Sequence, residues 1–436
     1  MAARVRISAS IFNINLKART ANLVPLAILT AILAITCPAH AQTFTLLHTF
    51  LPTGGGQNPT ASPILGGNGN LYGVATYGAG GEGGGAFKLS QRGSGWVLYP
   101  LFTHTGAGNS KLVMGPDGNL YGATAYGGID SCGEGGGCGT VFRLQPPPSA
   151  CASFLCPWTE TVLYEFTDQN DGWSPDSEVI FDAAGNLYGV TEYGGSGQCG
   201  AGGSLGCGIV YKLTRSGSRW TKSTIYTFLG GTSDGAFPTG GLVFDTAGNL
   251  YGVTGFGGSG TCVNGDNDGC GVLYELSPSN GGWIETIPHV FQPSNGKYPF
   301  GTLAMDPAGD LYGVAGSYIF ELSQPGNWSY AALYSFNDND SPAGGLTFDH
   351  AGNLYGVTYQ AGEYGFGYVY KLSLSGGSWV LTHLHDFSQS DGLNANGLLT
   401  LDANGDVYGT SLQGGFTNDE ACYPAFGCGT AWEITP

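Results

Sequence analysis

The amino-acid sequence predicts an all-β chain closed into a seven-bladed β-propeller of four-stranded blades. Three observations predict it. A core of the form Gly-Asn-Leu-Tyr-Gly recurs seven times. Each copy sits among short β-like runs separated by turn residues. The two ends of the chain supply complementary parts of one blade.

The cores occupy residues 69–74, 118–123, 185–190, 248–253, 309–314, 352–357 and 405–410, and their tyrosines are 43 to 67 residues apart. That spacing suits one blade plus loops of variable length. In the fourth copy, residues 241–245 read as the first strand, 246–249 as a tight turn and 250–254 as the second strand. A Gly-rich loop follows, then a third strand over 271–277 and a fourth over 283–291. Gly and Asn in the turn are suited to positive φ. No segment after residue 41 has a helical period.

Leu250 and Gly252 share one face of the second strand, with Tyr251 and Val253 on the other. A mid-strand glycine weakens a strand unless something must come close. The expectation is that Gly252 admits the neighbouring blade and that the repeated Tyr is a packing residue. The last repeat stops at its third strand, residues 430–435, while residues 43–50 resemble the fourth strands of other repeats, such as 161–166. The N-terminal strand is therefore expected to complete the last blade and hide the free sheet edges. Residues 42–436 read as one domain.

Residues 1–41 read as a cleaved secretory signal: Arg4, Arg6, Lys17 and Arg19, an apolar run from Leu23 to Thr36, and Ala39-His40-Ala41 as the cleavage site. No later run is apolar enough to span a membrane. Without that segment, 10 Lys+Arg stand against 32 Asp+Glu, a net charge of −22. Such a chain is expected to be repelled by nucleic acid and anionic lipid. Gly is abundant, at 78 residues, but clusters at turn positions, and 12% aromatic residues can build a core.

Ten cysteines follow the signal. Four pairs, Cys132 with Cys138, Cys199 with Cys207, Cys262 with Cys270 and Cys422 with Cys428, share the loop between strands two and three; Cys151 and Cys156 form a fifth pair in an insertion. Both or neither per loop predicts local disulfides, as an exported protein permits. Metal binding is the rival reading, but the pairs have no Cys-x-x-Cys spacing and no accompanying His.

Loops from strand two to three, and from strand four to the next blade, open on one face, and here both are long and polar. That face is the candidate binding surface. It carries Asp171 with Trp173, Asp234 with Phe237, and Asp391, with Asn295 and Asp340 at matching places and Glu82, Glu134, Glu192, Asp266 and Asp268 nearby. The carboxylates suit calcium and the aromatics suit sugar rings. The alternative is that Asp-Gly simply makes the turn into the next blade. His383 and His385 alternate on an outer strand and so are expected to share a face. There is no Gly-x-Ser-x-Gly elbow and no phosphate-binding loop, and no catalytic constellation stands out.

The core, the Gly-rich loop and third strands such as Gly208-Ile209-Val210-Tyr211-Lys212-Leu213 together resemble the GloVer tandem repeat of bacterial exported "choice-of-anchor" proteins. The resemblance implies export and a propeller-like fold, and carries no catalytic residue. Members often end in a surface-sorting tail; this chain closes on Pro436 without one, which reads as a released or periplasmic protein. The function expected is a monomeric binding or surface-interaction module for a glycan or an extracellular protein. It requires no cofactor, with calcium as a structural aid. The alternatives are an extracellular propeller lyase or hydrolase acting on polysaccharide or a small molecule, and a structural envelope component.

Overall fold

A computed structural model describes residues 42–435 except 52–55, 78–83, 104–109, 130–131, 133–135, 149–157, 168–169, 201–204, 265–266, 325, 416–421 and 423–425. The signal segment and the Cys151–Cys156 pair lie outside the described residues, as do Glu82, Glu134 and Asp266. The described residues form seven antiparallel blades and contain no helix. No described helix is long and apolar enough to cross a membrane.

Blade 4 is typical. Its first strand comes in two pieces, Gly235–Pro238 and Val243–Phe244, both paired with the second strand, Leu250–Gly257. The third and fourth strands are Val272–Ser279 and Gly282–Val290. The first strand thus begins earlier than the repeat core suggests: Asp234-Gly235 leads straight into it. The seventh blade closes as expected, with Thr43–Thr49 paired to Thr430–Thr435.

At the foot of blades 2 to 7 the tight turn is held by its own aspartate, and in blade 1 by Asn68. Asp245 Oδ1 accepts the backbone N–H groups of Ala247 and Asn249, both at 2.8 Å, and Oδ2 accepts Asn249 Nδ2 at 2.8 Å and the Tyr251 hydroxyl at 3.3 Å. This is an Asx turn extended to the repeat tyrosine. The tyrosine ring then meets the next blade: Tyr188 is edge-on to Phe244 at 5.1 Å and to Trp283 at 6.2 Å. The tyrosines are buried packing residues, as expected.

The mid-strand glycine has a different partner from the one expected. A Cβ on Gly252 would strike Tyr274, the residue paired with it on the third strand of the same blade. Phe87, Phe142, Tyr211, Phe320, Tyr370 and Trp432 fill the corresponding places. The glycine makes room for a large aromatic across one strand pair rather than for a neighbouring blade, because directly opposed side chains on adjacent strands are closer than blade faces.

Blades are clasped to one another on the long-loop face. The residue before the first-strand proline, or Ala395 in blade 7, is left-handed at Asn58, Ser174, Phe237, Tyr298 and Asn394, with φ of 52–59°. Such a conformation is unusual before proline and costs about 1–3 kcal/mol. It aims the N–H at the previous blade: Ser174, Phe237 and Tyr298 donate to the carbonyls of Cys138, Cys207 and Cys270 at 3.1, 2.9 and 2.8 Å. Four disulfides, Cys132–Cys138, Cys199–Cys207, Cys262–Cys270 and Cys422–Cys428, hold those carbonyls in place, as the pairing predicts.

Candidate functional site: the axial cavity

The strand-one residues that follow the clasp proline turn inward and line a cavity of about 230 Å³ on the propeller axis. Five blades spell the segment without a charge and with a small middle residue: Thr239-Gly240-Gly241, Phe300-Gly301-Thr302, Ala343-Gly344-Gly345, Asn396-Gly397-Leu398 and Thr60-Ala61-Ser62. The middle residues form a ring in which Gly240 meets the backbone of Gly301, Gly301 meets Gly344, and Gly344 meets Gly397. No Cβ fits between them. Small residues here are a condition for closing the ring.

Blades 2 and 3 depart from that spelling with Ser110-Lys111 and Asp176-Ser177-Glu178. Lys111 Nζ donates to the Leu398 carbonyl of blade 7 at 2.7 Å. Glu178 lies over Gly241 and accepts a short hydrogen bond from the Thr302 hydroxyl, which in turn accepts the Gly241 N–H at 3.0 Å. A lysine and a glutamate thus line a cavity whose other residues, Asp176 apart, are uncharged. Burial pulls the Lys111 ammonium down to about 8, and the Glu178 carboxylate partly restores it.

Asp176 is the first of the three inward residues, so it lies nearest the long-loop face and is exposed. The surrounding protein nonetheless raises its carboxyl to about 6. Glu192, which follows the second strand of the same blade, is raised to about 7, first by burial and then by the Asp176 charge, against a hydrogen bond from Tyr193. Tyr193 is stacked on Trp173, with ring centroids 4.6 Å apart at 29°. Asp176, which lines the cavity, thus interacts with the Glu192 carboxyl, and Glu192 is next to an aromatic pair. Perturbed acids in a cleft are the usual mark of a site.

Of the residues singled out in the sequence none lines the cavity, and Trp173 and Glu192 are the ones that stand beside Asp176 and Tyr193. Phe237 lies on the other side of Tyr193, edge-on at 5.5 Å, and is only 3% exposed. The three aspartates sit one to a blade beside the outer strands, and each carboxylate holds its own turn. Asp171 accepts the Tyr164 hydroxyl at 2.9 Å, the Thr167 N–H at 3.1 Å and Lys222 Nζ at 2.7 Å. Asp234 accepts Leu229 N–H at 2.7 Å and the Tyr226 hydroxyl at 3.1 Å. Asp391 accepts Ser388 N–H at 2.8 Å and lies 3.2 Å from His385 Nε2. Among the described residues no group of three or more His, Cys, Asp or Glu side chains is placed to hold a metal ion. His383 and His385 do not share surroundings: a bulge in the pairing of their strand puts His383 on Tyr368 and His385 on Phe44.

Sequence reasoning passed over Lys111, Asp176 and Glu178. A signal was present: aligned on the clasp proline and on the turn aspartate or its equivalent, these are charged residues in slots that other repeats fill with uncharged ones, Gly, Ala, Ser, Thr, Asn, Leu or Phe.

Comparison with known proteins bears on the fold and the repeat. No curated protein matches the chain. Among solved structures, a catalytically inactive variant of virginiamycin B lyase from Staphylococcus aureus, with quinupristin, is 12% identical with a TM-score of 0.53, covering 91% of this chain and 100% of that one. A luciferin-regenerating enzyme is 11% identical with a TM-score of 0.44, covering 91% and 96%. At such identity the first likeness shows the propeller fold and nothing of its chemistry. A family model, described as the Gloeobacter/Verrucomicrobia repeat, matches residues 32–201. That match falls on the repeat the sequence resembles and takes in blades 1 and 2 and the first half of blade 3.

Proposed function

We propose that the protein is an exported binding propeller that takes a hydroxyl-rich ligand, the end of a glycan, at the long-loop mouth of its axial cavity. The observation that carries this reading is the pairing of Asp176 and Glu192 beside the Trp173–Tyr193 stack. Carboxyl oxygens accept sugar hydroxyls, and aromatic rings cover the apolar face of a sugar. Export is supported by the basic, apolar and Ala-x-Ala segment ahead of the first strand and by four disulfides, which persist in oxidising compartments.

The test is a glycan array probed with the oxidised protein, with calcium and with chelator. The expected result is binding by the parent protein that Asp176→Asn with Glu192→Gln abolishes. Binding left intact in that variant would sink the axial assignment, and no binding in any condition would sink the glycan reading.

One observation favours an enzyme. Asp176 and Glu192 are raised to about 6 and about 7, so near neutral pH one carboxyl can be protonated while the other is charged, the division of labour a general acid and base require. Products released from a bound polysaccharide by the parent protein, and not by Glu192→Gln, would move the assignment from binding to lyase or hydrolase.

A further inference from the structure

The chain from residue 42 onward has four arginines, Arg92, Arg143, Arg215 and Arg219, in a segment of net charge −22. Three of them line one cavity. Arg143, Arg215 and Arg219, with Trp220 and Thr161, surround about 310 Å³ between the outer parts of blades 2 and 3.

Folding accounts for only part of this convergence: Arg215 Nε donates to the Gly217 carbonyl of its own turn at 2.9 Å, and Arg143 is hydrogen-bonded to the Tyr121 hydroxyl of its own blade. Arg215 and Arg219 lie on the hairpin that joins the third and fourth strands of blade 3, and both are exposed. Other blades put Gln91 and Gly95, Pro278 and Gly282, or Leu374 and Ser378 at those places and form the same hairpin. Arg143 occupies a third-strand position where Lys212 and Lys371 reach the turn aspartates Asp182 and Asp349 at 3.7 and 3.8 Å. Arg143 makes no such pair with Asp117, which is bound by Asn119 and Tyr121. Its Nη2 donates to Thr161 Oγ1 at 3.3 Å, while its Nε is buried without a hydrogen-bond partner. A buried donor left unpaired is costly, and a guanidinium offers its donors as a planar fork that fits an oxyanion.

We propose that this groove binds an oxyanion, a sulfate or carboxylate, such as those carried along an anionic polysaccharide. Arg143 stands at the floor, Arg215 and Arg219 at the rim, and the Trp220 ring supplies an apolar wall for the sugar that bears the charge. The acidic remainder of the molecule does not forbid it, because charges beyond about 8 Å are largely screened at physiological ionic strength. The site is separate from the axial cavity and stands or falls independently of it.

The experiment measures binding of the full oxidised protein to dextran sulfate, polygalacturonate, neutral dextran and inorganic sulfate by titration calorimetry at two salt concentrations. The parent protein is expected to bind at least one of the charged probes and not neutral dextran, with affinity falling as salt rises. Arg215→Ala with Arg219→Ala, both on exposed positions, is expected to weaken that binding at least about tenfold. Arg143→Lys, which keeps the charge and loses the fork, is expected to weaken it less. Binding of inorganic sulfate alone would support the oxyanion site with a free anion as its source; binding of the polymers would identify the glycan. The proposal is overturned if no charged probe binds, or if the double variant binds as the parent does. Asp176→Asn is expected to leave this binding unchanged while removing any axial binding, which keeps the two sites distinguishable.

Discussion

Blades 3 and 4 are neighbours built on one frame and filled differently. Both have the turn aspartate, the bridging tyrosine, the strand-two glycine under a buried Tyr, and a disulfide in the same loop. At the axis, blade 3 places Asp176-Ser177-Glu178 where blade 4 places Thr239-Gly240-Gly241. At the outer edge, Lys222 of blade 3 holds Asp171 at 2.7 Å, whereas Glu285 at the same place in blade 4 faces Asp234 across the Tyr226 hydroxyl. On the connecting hairpin, Arg215 and Arg219 answer to Pro278 and Gly282. The frame is redundant, so it tolerates departures, and the departures mark where the chain does something besides fold.

The comparison breaks most severely at the axial ring. Gly240→Ala should cost about 3 kcal/mol, because the new Cβ overlaps the Gly301 backbone and neither chain can yield. Ser177→Ala, at the same place in blade 3, should be close to neutral. Urea denaturation of the pair checks this, and equal losses would show that the ring is not the constraint. Next in size is the clasp: replacing Cys199 and Cys207 together with Ser should cost about 2 kcal/mol in thermal unfolding, as expected for a short closed loop.

The outer edge gives a smaller effect with a definite pH dependence. Burial, and then the Asp234 charge, raise the Glu285 carboxyl to about 8, against a hydrogen bond from Tyr226. Below about 4.5 it is protonated in both folded and unfolded chains. As pH rises, the unfolded chain ionises first, so stability is lost between about 4.5 and about 8. Glu285→Gln should therefore stabilise by about 1 kcal/mol at pH 8, after solvent screening, and by little at pH 5. Denaturation at the two pH values decides it; an equal effect at both would deny the ionisation. Smallest is Tyr274→Phe. The Tyr274 hydroxyl is buried without a partner while other blades use Phe at this place, so the change should stabilise by up to about 1 kcal/mol. A loss in melting temperature would reveal a partner for that hydroxyl.

Much of the fold was legible because it is written seven times. Turn chemistry, closure by residues 43–50 and the four disulfides all follow from local residues and their recurrence. The axial site was harder to read. Asp176 and Glu178 are two carboxylates among 32 acidic residues, and nothing local in Pro175-Asp176-Ser177-Glu178 says that it turns inward. That depends on where strand one breaks, which the Gly-Gly segments of other blades decide through contacts with their neighbours. The Asp-Gly loops left two readings open for a related reason: a carboxylate at a turn looks the same in sequence whether it faces a ligand or its own backbone. The partner of Gly252 was missed because strand register was needed to place Tyr274 opposite it.

The clasp has a consequence for how the molecule comes apart. Among the described residues, blades 3, 4, 5 and 7 are each gripped by the one before, and the first is stitched to the seventh through the Asn58 N–H and the Cys428 carbonyl, 2.7 Å apart. An open array of repeats can fray from its ends, one unit at a time. A ring has no end unit: the first blade to leave must break two interfaces at once, and every later one breaks only one. Loss of any blade is therefore the hardest step and is followed by collapse of the rest, so chemical denaturation should show one concerted transition for the whole circle.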